Sequence, residues 1–302
     1  MRKVFVFIII SASLFSTMEV ALKIAASDID PFQMTFTRFL WGGLILIPFA
    51  VKELRKRAIV IKKDDLVYFL VLGAMNIVVS MTFFQFGVMY TKASSVAVVF
   101  CTNPMFTMLF AHFLTEEKMT RKKSMALIIS IVGLVFIMNP MHLRQHNDLL
   151  GIVFAFASSV SFGLYSAFGK RKINKYGGIV QTSISFILGA IILLLFLMIM
   201  DKPIITGIHS DNFILMVYIS IFVTGIGYLT YFMAMEYSNT SFASLVFFVK
   251  PALAPIVAVL VLKEVITWNT IVGIILILTG SYITLGTGNI LKTTSDNERA
   301  VR

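Results

Sequence analysis

Apolar runs of about twenty residues recur along this chain, with the charged residues gathered in short stretches between them. A helix of that length crosses ~30 Å of hydrocarbon. The runs predict ten spans, over residues 4–26, 33–51, 66–90, 92–114, 123–139, 149–169, 179–200, 212–236, 240–262 and 268–285. The first follows Arg2-Lys3 and ends near Ala25-Ala26-Ser27, as a secretory signal would. It is too long for the apolar part of such a signal and carries Glu19 and Lys23, so it reads as a span.

The pattern occurs twice. A shift of 147 positions places Tyr90 on Tyr237, Ser94 on Ser241, Phe100 on Phe247, Pro104 on Pro251, Glu117 on Glu264 and Gly133 on Gly280. The same shift carries Phe15 to Phe162, Lys23 to Lys170, Phe39 to Phe186 and Gly42 to Gly189. A fixed period of this size means two copies of one unit. The expected division is 1–140 for the first five-helix copy, 141–287 for the second and 288–302 for a polar cytoplasmic tail. Because five is odd, the second copy enters the membrane from the opposite side. The fold class is therefore an all-α polytopic membrane protein, a five-plus-five inverted-topology repeat of ten transmembrane helices.

Composition agrees. The chain is 58% hydrophobic and 14% charged, well below the roughly 25% charged residues of a soluble protein. A net charge of +11 could mean nucleic acid, but the basic residues sit in short loops, as membrane orientation requires. With the N-terminus in the cytoplasm, the inner segments hold Arg2 and Lys3, the cluster from Lys52 to Lys63, Lys118 to Lys123, and Lys170 to Lys175. The outer ends hold Lys23, Lys92, Arg144, Lys202 and Lys263. Both termini are expected inside. One cysteine, Cys101, permits no intrachain disulfide. The four histidines form no ligand spacing, no HExxH occurs, and no Gly-rich phosphate loop precedes a helix. No cofactor and no metal are expected.

Charges inside the spans are the candidate chemistry. Lys250 lies near the middle of the ninth span, where an unpaired ammonium is costly, so it needs a partner, water or an anionic ligand. Its counterpart in the first copy is Asn103, so any site there is asymmetric. Pro104 and Pro251 each remove a helix hydrogen bond in the middle of a span, which reads either as a hinge or as a packing kink. Glu19 could bind a substrate amine or a proton, or simply pair with Lys23 one turn on; its counterpart is Ser166. Tyr228, Tyr231 and Met235 share a helical face in the eighth span, Phe84 is the counterpart of Tyr231, and Tyr165 lies on the sixth span. These aromatics could contact a ligand or could be packing. Gln85 and Asn76 read equally as interhelical hydrogen bonds. Arg38, near the outer end of the second span, reads as snorkelling to headgroups. Glu117 and Glu264 read as structural turns, with Thr120 and Thr267 capping the helices that follow.

The chain resembles the EamA-type transporters of the drug/metabolite transporter superfamily. The resemblance rests on the five-plus-five plan, Phe36-Thr37-Arg38-Phe39, Asn103-Pro104, Lys250-Pro251, Thr115-Glu116-Glu117 and Leu262-Lys263-Glu264. Glu116 and Lys263 replace the glycine of that family's leucine-glycine-glutamate segment. The resemblance implies a plasma-membrane (inner-membrane), multi-pass secondary transporter of a small metabolite, amino-acid-like or carboxylate-bearing, working by alternating access. It places the central cavity among spans 1, 3, 4, 6, 8 and 9. The partners it implies are a small-molecule substrate, the lipid bilayer and a proton as candidate coupling ion, in a monomer or homodimer; no nucleic acid is involved. A competing class is a membrane-embedded enzyme or lipid-handling protein using Glu19 and Lys250 as an acid–base pair. A structural membrane subunit would not require polar groups in mid-span.

Overall fold

The computed structural model describes residues 2–114, 119–138, 146–237 and 246–285, and these are helical with short connections. α1 (Arg2–Ala25) is uninterrupted. Asp30 then caps α2 (Pro31–Leu44), its carboxylate accepting from the Phe32 and Gln33 amides at 2.9 and 3.4 Å. Pro31 opens that helix, where no amide proton is needed. α2 bends by 44° into α3 (Ile47–Lys56), whose first turn contains Pro48. α4 (Lys63–Gly73) continues through a wide π-helical stretch, Ala74–Met81, into α5 (Thr82–Tyr90). α6 (Ala93–Phe100) breaks at Cys101 and Thr102 before α7 (Asn103–Leu114), and α8 is Arg121–Met138.

The second half follows the same plan. α9 (His146–Tyr176) runs well past the expected end at Gly169, carrying the basic cluster on its last turns. α10 is Gly178–Ile199. α11 (Ser210–Val217) continues through a second π-helical stretch, Tyr218–Gly227, into α12 (Tyr228–Tyr237). α13 (Val246–Leu262) contains Pro251 and Pro255 without a break, and α14 is Trp268–Leu285. Thr120 and Thr267 do cap α8 and α14, accepting from the Lys123 and Thr270 amides. Glu117 and the tail lie outside the described residues.

Among the described residues, six continuous helical stretches are long and apolar enough to cross a membrane, or seven if α2 and α3 form one bent span. Lys250–Leu262 and Trp268–Gly280 are shorter apolar helices. Large apolar side chains such as Ile9, Phe113, Leu195, Ile214 and Leu260 face outward, while Glu19, Arg38 and Lys250 are buried. That inversion of the soluble pattern is the surface of a multi-pass membrane protein.

The two copies pack through equivalent contacts. A Cβ on Gly189 of α10 would lie 2.6 Å from the Gly73 carbonyl of α4. Its counterpart Gly42 of α2 faces the carbonyl of Ser220, the counterpart of Gly73, at 3.1 Å. Bare glycine surfaces let these helix backbones approach closely. Where the copies meet, residues touch their own counterparts. The Phe39 and Phe186 rings are 4.7 Å apart, Phe100 and Phe247 6.3 Å, and the Tyr228 hydroxyl donates to Met81 Sδ at 3.1 Å. Related residues that touch straddle the symmetry axis, so these three pairs trace it through the core.

Gly189→Val should be poorly tolerated, since a branched side chain would meet the Gly73 backbone as well as the Ile77 side chain. Overpacking of this kind costs about 1–3 kcal/mol or more, and the purified variant should melt several degrees below wild type. A melting temperature equal to wild type would show that the crossing has room to open.

Candidate functional site

Glu19, Arg38, Asp65 and Lys250 are the charged side chains buried among the described residues. Three of them meet at the centre. Lys250 Nζ of α13 lies 2.5 Å from Glu19 Oε1 of α1, and both side chains are shut off from solvent (0% and 1% exposed). The contact joins the two copies, one side chain coming from each. Glu19 and Arg38 of α2 also interact electrostatically. Arg38 is completely buried: its Nη1 reaches Met18 Sδ at 3.8 Å, and its guanidinium stands 4.6 Å from the Phe39 ring.

Two expectations are corrected here. Lys23 does not pair with Glu19. Its Nζ donates instead to the carbonyls of Val88, Met89 and Thr91 at 2.7, 3.0 and 2.8 Å, where the end of α5 leaves acceptors free. Arg38 does not snorkel; its side chain turns inward to the core.

The charges sit inside aromatic walls. Lys250 Nζ is 5.0, 5.6 and 5.9 Å from the ring centres of Phe100, Phe84 and Phe15, where the ring faces favour a cation. Tyr228 and Tyr231 are buried and pack edge-on against Phe15 and Phe247 respectively, at 5.0 and 5.4 Å. Tyr165 is buried one shell out, against Phe162 at 5.5 Å and Phe232 at 5.9 Å. Phe84, Tyr228 and Tyr231 are thus gathered around the charges, with Tyr165 behind them.

The prolines stand in different settings. Pro104 is in the first turn of α7, just past the break; Pro251 is inside continuous α13. The Phe100 carbonyl freed at the break accepts from Asn103 Nδ2 at 2.7 Å and Ser159 Oγ at 3.4 Å. Asn103 therefore spends its amide donor on the break and keeps its Oδ1 without a hydrogen bond. Asn76 and Gln85 are buried with neither end of the amide hydrogen-bonded, so no direct interhelical bond is made by either.

Polar contacts join the two copies at both ends of the bundle. At one end Arg57 bonds Glu53 at 2.7 Å and pairs with Glu236, whose other oxygen accepts from the Gly178 amide at 2.8 Å. Asp65 there pairs with Lys172 and Lys175 at 3.2 and 3.6 Å. At the opposite end Glu264 accepts from the Ala93 and Ser94 amides and Ser94 Oγ at 2.7, 3.1 and 2.6 Å. Glu264 is more than a turn residue. Its carboxylate from one copy caps the N-terminus of α6 in the other.

The sequence missed Arg38 and the two π-helical stretches. Arg38 had the same signal as Lys250: a charge in one copy where the other has a neutral residue, here Ser185. The π stretches fall at overlapping positions of the two copies and break the regular ladder where many proteins place function.

Comparison with known proteins agrees with this architecture. The EamA-like transporter family matches twice, over residues 2–139 and 149–286, the same 147-residue shift. A protein of Clostridium kluyveri named an uncharacterized transporter is 39% identical over 289 residues, covering 94% of this chain and 93% of its own. An S-adenosylmethionine uptake transporter of Rickettsia prowazekii is 24% identical over 157 residues, 52% of this chain and 51% of its own. A solved crystal structure with 17% identity has a TM-score of 0.68, covering 96% of this chain and 97% of that one. The repeated halves and the apolar outer surface define a multi-pass membrane protein built from two copies of one unit. The chain belongs to the EamA-like transporter family.

Proposed function

We propose that the protein is a secondary transporter that moves a small amino-acid-like or carboxylate-bearing metabolite across the plasma membrane by alternating access. The observation that carries this is the Glu19–Lys250 pair, fully buried between the two copies, which are also joined by polar contacts at both ends of the bundle. Such charges are costly in mid-membrane and mark substrate or ion pathways. Rocking one copy against the other would open the Arg57–Glu236 end or the Glu264–Ser94 end in turn.

Ten spans in an inverted five-plus-five repeat fit the equivalent crossings and the touching counterparts. The copies divide near residue 140, with 288–302 as a tail. Lys250, Asn103, Glu19, Tyr228, Tyr231, Phe84 and Tyr165 form the substrate site in this reading, and Pro104 and Pro251 serve as hinges. A proton is the coupling ion, moved by Glu19. The relatives compared are named transporters, which favours a carrier over an acid–base catalyst.

Orientation follows from charge. The end with Arg57, Lys172 and Lys175 is the cytoplasmic one, which puts both termini inside. A reporter fused to the C-terminus of the full chain should be active only in its cytoplasmic form. Activity only on the outer side would end the ten-span model. The transport reading itself is tested by counterflow: proteoliposomes preloaded with a metabolite should transiently concentrate the same labelled metabolite. A membrane enzyme or a lipid-handling protein would not do so.

A further inference from the structure

The sequence points to Lys250 as the group that would bind a carboxylate. Lys250 Nζ already faces a carboxylate, Glu19 Oε1 at 2.5 Å. Arg38 has no carboxylate within ion-pair distance among the described residues. Its Nε and Nη2 are buried and have no hydrogen-bond partner, and its remaining nitrogen reaches only a thioether, a weak acceptor. Nε and Nη2 lie on one edge of the guanidinium. Their two parallel N–H groups make the fork that matches the two oxygens of a carboxylate. Two buried N–H donors without an acceptor in the protein are costly in a sealed core.

The scaffold does not demand this charge. At the equivalent position of the other copy stands Ser185, whose hydroxyl donates to the Gln181 carbonyl within its own helix. The two positions are framed alike, by Phe39 and Phe186 in edge-to-face contact on the axis. Packing is therefore met by a small neutral residue in one copy, and the guanidinium in the other answers a different need. The charges of the centre say what that need is. One carboxylate, Glu19, stands against two cations, Arg38 and Lys250, so the three side chains together carry one cation in excess.

We propose that the Nε–Nη2 edge of Arg38 is the site that receives the carboxylate of the transported substrate, with the Glu19–Lys250 pair beside it. This rests on the transporter reading and assigns its substrate class: a metabolite with a free carboxylate, bound bidentately. Esters and carboxamides of the same metabolite are excluded, because they bring neither the charge nor two equivalent acceptors.

The test uses the full chain in nanodiscs and reads ligand-induced thermal stabilisation. The probes are the L-amino acids, lactate and pyruvate, each beside its carboxamide. The expected result is that at least one acid stabilises the wild type and its carboxamide does not. Arg38→Lys keeps a positive charge but loses the fork. It should weaken that acid by roughly 10- to 150-fold while the ligand-free melting temperature stays near wild type. Should Arg38→Lys not fold, Arg38→Gln takes its place, and an unchanged acid affinity in that variant overturns the proposal equally. A carboxamide that binds as well as its acid, no response to any acid, or unchanged acid affinity in Arg38→Lys overturns the proposal. Counterflow with the same compounds separates the two readings. Transport of a neutral compound, indifferent to Arg38→Lys, leaves a carrier without a carboxylate fork; no transport of any compound takes away the carrier itself.

Discussion

Lys250→Met should destabilise the folded protein by about 3–5 kcal/mol, because it leaves the buried Glu19 without its contact cation. Read from the sequence, Lys250 is an ammonium waiting for a ligand, and the same substitution ought to insert as well as wild type. The 2.5 Å contact reverses that expectation. Arg38 offers Glu19 some compensation, which places the effect towards the lower end. The companion variant is Glu19→Gln/Lys250→Met, in which neither charge remains. It should recover most of the lost stability, since removing both partners avoids the orphaned group. Thermal melting of the purified proteins reads both. A single variant as stable as wild type would mean that the pair contributes nothing to folding.

The second large effect is on coupling. Glu19→Gln removes the one buried carboxylate at the centre while keeping size and hydrogen-bonding capacity. If Glu19 carries the proton, the variant should lose gradient-driven uptake, down to the level of empty liposomes, while exchange of substrate for substrate, weakened because Lys250 loses its partner, stays above that level. Exchange needs the site to reorient loaded and never requires the proton to leave alone. Uptake with unchanged pH dependence in Glu19→Gln would confine Glu19 to holding Lys250 in place.

Much of this architecture was legible in the residues because two strong regularities carry it. Apolar runs mark helices in a membrane, and a constant shift marks a repeat; both survive low identity. Helix ends were readable where caps are local, as at Thr120 and Thr267. What failed was pairing across the bundle. Glu19 and Lys23 are one turn apart, so the local pair was the obvious one, yet Lys23 finds the carbonyls ending α5 and Glu19 finds Lys250, 231 positions away. Arg38 was judged by its nearness to the outer end of its span, and nothing local says that its side chain turns inward. Glu264 likewise caps a helix of the other copy, a contact set by how the copies dock. The repeat comparison held the missing hint. Glu19, Arg38 and Lys250 all stand opposite neutral residues, namely Ser166, Ser185 and Asn103.

The central claim is that this buried centre opens alternately to the two sides of the membrane, and the chain carries its own reporter for it. Cys101 is the single cysteine, fully buried at the α6–α7 break. It follows Phe100, whose ring lies under Lys250, and it is within electrostatic reach of Lys250 and Glu19. The measurement is labelling of Cys101 by a membrane-impermeant maleimide, in right-side-out and in inside-out vesicles of the unmodified protein. Alternating access predicts slow labelling from both sides, slowed further by the substrate found in counterflow. Labelling from one side only, or none from either side in vesicles that transport, would contradict it.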